Sequence, residues 1–122
     1  MSGRRPLGRG DVVLVRFPFT DLAGQKLRPA LVVGRPADED LVLAFMTSRV
    51  ELTEPHAEHL LAVDDPEFRL TGLRTASLIR LNQIATLHRS LIHRRLGTIG
   101  PETDQFVRSC LRYVFGRGTA VD

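Results

Sequence analysis

The chain is poor in several residue types at once: 122 residues contain one cysteine, one tyrosine, one lysine and no tryptophan. A single cysteine excludes an internal disulfide. Cys110 stands among apolar neighbours in RSCLRYVF, where a free thiol acts as a small core residue. No histidine or acid adjoins it in sequence to lower its pKa, so it is not read as a nucleophile. No apolar run approaches the roughly eighteen residues of a membrane span, so no membrane partner is expected. The basic start MSGRRPLGRG has no apolar segment behind it, which argues against a secretory signal and leaves the cytoplasm as the expected location. Repeats, low-complexity segments, a P-loop, a Ser-His-Asp order and a paired-carboxylate signature are all missing.

What remains is the composition of an ordinary soluble domain, 43% hydrophobic and 25% charged. A chain of this length forms one domain over residues 1–122 and buries about two-thirds of its unfolded surface, enough to fold without covalent staples. The net charge is +3. Lys26 is the only lysine, so sixteen of the seventeen cations are arginine. Planar guanidinium forks suit phosphate recognition, and codon usage in a GC-rich genome produces the same bias. Composition alone leaves both readings open.

Hydrophobic patterning predicts a series of short strands. GDVVLVRFPF, residues 10–19, reads as a core strand ended by Pro18. PALVVG, residues 29–34, is the next, and LVLAFMT, residues 41–47, pairs with it as an antiparallel hairpin across the acidic turn RPADED. Further strands are expected at 59–63, at 76–87 with a break near Asn82 and Gln83, and at 94–99. The C-terminal stretch differs in period. Pro101 stands at an N1 position, Glu102 and Asp104 follow in the first turn, and Gly116 marks the stop, which predicts a helix over 101–115. Phe106, Val107, Cys110, Leu111 and Val114 supply its apolar face. Residues 1–9 read as a basic, flexible arm. The expected fold is mainly β, a small, strongly curved antiparallel barrel with a C-terminal helix packed on it.

The stretch GDVVLVRFPFTDLAGQKLRPALVVG joins a Gly-Asp strand, a Gly-containing loop and an Arg-Pro-aliphatic strand. With FMTSR and GLRTASLIRLNQIATLHRSLIHRRLGTIG behind it, the chain from Gly10 to Phe115 resembles the PemK/MazF-type toxins, the ribonuclease half of type II toxin–antitoxin pairs. The resemblance implies an SH3-like barrel, usually a homodimer. The implied activity is metal-independent cleavage of single-stranded RNA such as mRNA. It leaves a 2′,3′-cyclic phosphate and a 5′-hydroxyl and needs no cofactor. A cognate antitoxin protein blocks the groove with an extended, often acidic tail.

Cleavage by the 2′-hydroxyl requires a proton acceptor, a holder for charge on the phosphoryl oxygens, and a proton for the leaving 5′-oxygen. Arg28 fits the charge-holding role: it stands where a loop becomes a strand, Pro29 restricts it to extended geometry, and its fork can grip two oxygens. The resemblance aligns Thr47 with the family's essential hydroxyl, with Ser48 beside it; a strand-terminal Thr can instead bond its own backbone. Arg28 and Thr47 are the expected catalytic residues. Ser48, Arg80, Asn82, Asp21, Gln25 and Lys26 are expected to contact RNA, and the loop over residues 20–25 to shape the groove.

Two family acids are missing. Asn82 stands where some members carry Asp, and no glutamate precedes Arg28 in LAGQKLR. An amide cannot accept the proton, so the base is unassigned, with Asp21 as a substitute. The departure sustains a rival reading: a catalytically inactive SH3-like barrel that binds nucleic acid or an acidic peptide through its arginines. His56 and His59 share H-x-x-H spacing around Glu58, but three ligands in a loop-to-strand segment make a weak metal site, and none is expected. His88 and His93 read as surface residues near Arg89, Arg94 and Arg95.

Overall fold

The computed structural model describes residues 5–16 and 26–116. Its elements are β1 (Asp11–Arg16), β2 (Leu27–Ala37), β3 (Asp40–Thr47), β4 (Glu58–Leu61), β5 (Ser77–His88), β6 (Ile92–Thr98) and α1 (Pro101–Gly116). Short 3-10 turns at Phe68–Thr71 and Arg89–Leu91 link β4 to β5 and β5 to β6. All the strand pairs are antiparallel, in the order β4-β5-β3-β2-β1-β6. The protein is therefore mainly β with one terminal helix, and the sheet is barrel-like rather than closed.

Two apolar clusters divide the sheet by its two-residue period. On one face Val12, Leu31, Ala44, Met46, Ile79 and Leu81 meet Val107 and Cys110 of α1. On the other, Val13, Val15, Ala30, Val32, Leu41 and Leu43 are sealed with help from Leu7, Phe45 and Ile92. A sheet buried on both faces must be built of near-continuous apolar strands, which is why β1 to β3 read that way in the sequence. Register shifts between β1 and β6, β2 and β3, and β3 and β5 bend the sheet.

The largest shift lies in β5. Phe45 faces Arg80 while its neighbour Ala44 faces Ile84, so residues 81–83 form a bulge. The expected break near Asn82 and Gln83 is thus a kink within one long strand. Leu81 uses it to donate its N–H to Ala57 O at 2.9 Å. Where the first 3-10 turn backs onto β6, Gly72, at φ +73°, and Gly97 allow the two backbones to touch. A Cβ on either would collide with the main chain of the other segment.

Helix α1 matches its expected start and runs one residue further, to Gly116. Its first turn is capped from a distance: Glu67 accepts from Glu102 N at 3.0 Å, Thr103 N at 2.8 Å and the Thr103 hydroxyl at 2.7 Å. Phe106 departs from its expected place. It is 57% exposed and lies against His59 instead of joining the buried face.

Of the basic arm, residues 5–9 are tied to buried Asp11. Arg5 grips that carboxylate at 2.8 and 3.2 Å, Gly8 N donates at 2.9 Å, and Arg95 donates at 3.1 Å. Arg9 pairs with Asp104 of α1 at 2.7 Å.

Candidate active site

Strand register brings the expected residues to one face. Val15 faces Arg28, and Ala30 faces Phe45. The β2–β3 pairing ends at Ala30 and Phe45, and Arg28 and Thr47, each two residues further along its strand, fall on the same face as that pair. Directly opposed residues share a face, with Cβ atoms about 5 Å apart. Phe45 in turn faces Arg80, and Arg80 faces Glu58. Arg28, Thr47, Arg80 and Glu58 therefore project from the side of the sheet that carries Ala30 and Phe45, away from α1. Arg80 lies diagonally across from Thr47, because Thr47 itself pairs with Leu78.

Each position has a local cause. Arg28 is the second residue of β2, not the last of a loop, since the strand opens at Leu27. Its side chain is exposed while Ala30 and Val32 of the same face are buried, so the backbone is held by the core and the charge stays wet. Thr47 ends β3, and its Oγ1 accepts from Arg49 N at 3.1 Å. That bond fixes the hydroxyl oxygen and leaves its proton free to donate. Arg80 directly precedes the bulge.

The other expected contacts scatter. Ser48 is exposed just past β3, Lys26 is exposed just before β2, and Asn82 is exposed within the bulge. Asp21, Gln25 and the loop over residues 20–25 lie outside the described residues.

Glu58, weighed in the sequence only as a third ligand beside His56 and His59, has a role here that sequence reasoning missed. It opens β4, and its side chain is 1% exposed. Thr53 N at 3.0 Å and Glu54 N at 2.9 Å both donate to Oε1. The Thr53 hydroxyl donates to Oε2 at 3.4 Å, and Arg80 Nε lies 3.5 Å from the same oxygen. A buried carboxylate needs such compensation, so the loop before β4 wraps around it. The only linear signal was an acid at the head of an apolar strand.

The histidines go elsewhere. His56 packs on Tyr113 with ring centroids 5.1 Å apart, and His59 stacks on Phe106 at 4.8 Å, both against α1. Burial pushes the His59 imidazole below its ordinary pKa, with the Asp65 charge opposing. His88 folds back on Ser90, and His93 meets Arg16 at 3.2 Å. Burial raises the Cys110 thiol, and the Glu58 charge adds to that, so the thiol is held protonated. A groove of about 350 Å³ at the start of α1, lined by Arg9, Ile99, Pro101, Asp104 and Arg108, shares no residue with the arginine–threonine face.

A bent antiparallel sheet with a helix on one side and an arginine–hydroxyl face on the other defines a class of small barrel proteins. The sequence places this chain within it: residues 8–115 match the PemK-like, MazF-like toxin of type II toxin–antitoxin systems, and the chain belongs to that family. Solved structures share the fold. The Mycobacterium tuberculosis toxin MazF-mt6 superposes with a TM-score of 0.67 at 15% identity, over 87% of this chain and 96% of that one. MazF in the MazE–MazF complex (Form-III) from Deinococcus radiodurans gives 0.67 at 24% identity, over 90% and 96%. An endoribonuclease in complex with its cognate antitoxin from a mycobacterial species gives 0.68 at 18% identity, over 94% and 100%. A comparison with curated protein sequences finds no match. No helix among the described residues is long and apolar enough to cross a membrane.

Proposed function

We propose that the chain is an endoribonuclease toxin that cleaves single-stranded RNA by attack of the 2′-oxygen on the adjacent phosphorus. The observation that carries this reading is the common face of Arg28, Thr47 and Arg80. In the proposed step the 2′-oxygen–phosphorus bond forms as the phosphorus–5′-oxygen bond breaks, with water accepting the 2′-hydroxyl proton and supplying one to the departing 5′-oxygen. The products are a 2′,3′-cyclic phosphate and a 5′-hydroxyl. RNA supplies its own nucleophile, so the protein has to position the groups and stabilise charge. Arg28 binds two phosphoryl oxygens through its fork, and the Thr47 hydroxyl donates to a third charge-bearing oxygen. Arg80 adds a second cation from the diagonal position. Glu58, with a side chain 1% exposed, is too enclosed to reach a substrate. Asn82, Ser48, Lys26, Asp21 and Gln25 belong to the RNA-contacting rim in this reading.

An inhibitory antitoxin is part of the same proposal, supported by the antitoxin complexes among the structural neighbours, and a homodimer is included on the family resemblance alone. The missing acid at Asn82 favours a second reading, a barrel that binds RNA without cutting it.

One assay separates them. The purified chain is incubated with a mixed-sequence RNA and its 2′-deoxy counterpart, with EDTA present. Cutting of the first alone, with cyclic-phosphate ends and a loss of about 100-fold or more in Arg28→Ala, supports the enzyme. Intact RNA retained in a gel shift supports the binding module. Growth arrest on expression, relieved by a co-expressed antitoxin, tests the toxin role in cells.

A further inference from the structure

Arg80 Nε is sealed from solvent and makes no hydrogen bond, yet the side chain as a whole is 39% exposed. Its inner nitrogen is therefore enclosed while the rest of the side chain reaches the surface. Among the described residues, its ion-pair partner is Glu58, whose Oε2 lies 3.5 Å from that nitrogen. The carboxylate is itself held by hydrogen bonds and its backbone by α1. Thr53 N and Glu54 N hold Oε1, and Cys110 Sγ on α1 lies 3.7 Å from Glu58 O. On the next strand, Leu81 N is anchored to Ala57 O, immediately before Glu58 and immediately after Arg80. Both partners are thus fixed at the backbone by the same bulge.

We propose that Glu58 is the positioning residue for Arg80, fixing the inner edge of the guanidinium so that its outer end serves the Arg28–Thr47 face. The inference rests on the nuclease reading for its kinetic consequence, not for its geometry. An arginine side chain has four rotatable bonds and gives up much freedom to hold one pose. A carboxylate against Nε removes that freedom in advance and neutralises the buried part of the charge. It also leaves the two terminal nitrogens uncommitted to Glu58, and these are the pair that can grip a phosphate. Burial bars Glu58 from the substrate, so its effect on the reaction has to pass through Arg80. Sites with strong first contacts depend on such supporting partners for aim.

The test is a double-mutant cycle on the full chain. Glu58→Gln preserves an oxygen for the Thr53 and Glu54 N–H groups and removes the charge facing Arg80. The expected result is a fall in kcat of about 10- to 100-fold with little change in KM. In an Arg80→Ala background, Glu58→Gln should have less than about a twofold further effect. Equal losses in both backgrounds would mean that Glu58 acts on general architecture, and the proposal would be overturned.

A second measurement does not depend on activity. In the ¹⁵N-labelled chain, the Arg80 Nε–H proton should exchange slowly with water, and Glu58→Gln should accelerate it. Unchanged exchange sinks the proposal. Absence of any RNA cleavage by the parent chain would remove the nuclease reading, while the exchange result would still decide whether Glu58 holds Arg80.

Discussion

The imidazole of His59 lies face to face with the ring of Phe106, centroids 4.8 Å apart and planes 13° from parallel, with its Nε2 buried and unbonded. The stack joins β4 to α1, and the burial of the unbonded ring nitrogen disfavours a charged imidazole. Because burial lowers the folded-state pKa, the unfolded chain binds a proton more readily. Stability contributed by the neutral ring is complete above about pH 6.5 and is lost as the pH falls toward the depressed value. Urea unfolding at pH 7.5, 6.5 and 5.5 should show a falling midpoint in the parent chain and a flatter profile in His59→Phe. Parallel profiles would show that the ring does not titrate in this window.

The cap on α1 comes from a residue 36 positions away from Thr103. Desolvation works against the Glu67 charge, but the hydrogen bonds from Thr103 and Glu102 outweigh it and hold its carboxyl below the ordinary range. The charged form therefore adds stability above about pH 4.5 that disappears as the pH drops through the lowered folded value. Glu67→Ala should cost about 1 kcal/mol at pH 7 by denaturant titration, and less at pH 3. Gly100→Ala should cost a similar amount, since its new Cβ would displace the Glu67 carboxylate.

Asp11 holds the arm and β6 together with a side chain only 1% exposed. Asp11→Ala leaves Arg95, whose Nε is already buried and unbonded, without its anion. A loss of about 1–3 kcal/mol follows from removing the buried acceptor of the Arg5, Gly8 and Arg95 donors, with solvent compensating the partly exposed arginines. Limited proteolysis should then cut near Arg5 and Arg9 at low protease concentration. An unchanged cleavage pattern would show that the arm is held by Leu7 packing instead.

Thr47 offers a chemical contrast. Thr47→Ser keeps a hydroxyl and should retain RNA cleavage within about tenfold, whereas Thr47→Val should lose about 100-fold. Loss of the Arg49 turn bond in the valine variant costs about 1 kcal/mol of stability, readable separately in thermal unfolding. Equal cleavage by both variants would remove the hydroxyl from the chemistry.

Much of this protein is written locally. The ends of α1 were legible because Pro101, the acids of the first turn and Gly116 act over one turn of chain. Strands β1 to β3 were legible because burial on both faces leaves unbroken apolar runs, and a short acidic turn pairs β2 with β3. Arg28 stood out in the sequence by its place before Pro29 at the head of β2, whereas Thr47 stood out only through the resemblance to the toxin family. Phe106 misled because helical period shows which residues share a face, not where the covered sheet ends.

What folding alone decided are contacts between segments distant in sequence. Glu58 meets Arg80 across 22 residues, Glu67 meets Thr103 across 36, and Asp11 meets Arg95 across 84. The first and the last depend on strand register, where a slip of one residue would send the side chain to the opposite face, and the second on how α1 docks against the turn before the first 3-10 segment. The three-residue bulge in β5 sets that register where it matters most, and only the balance of packing on both faces of the sheet determines it.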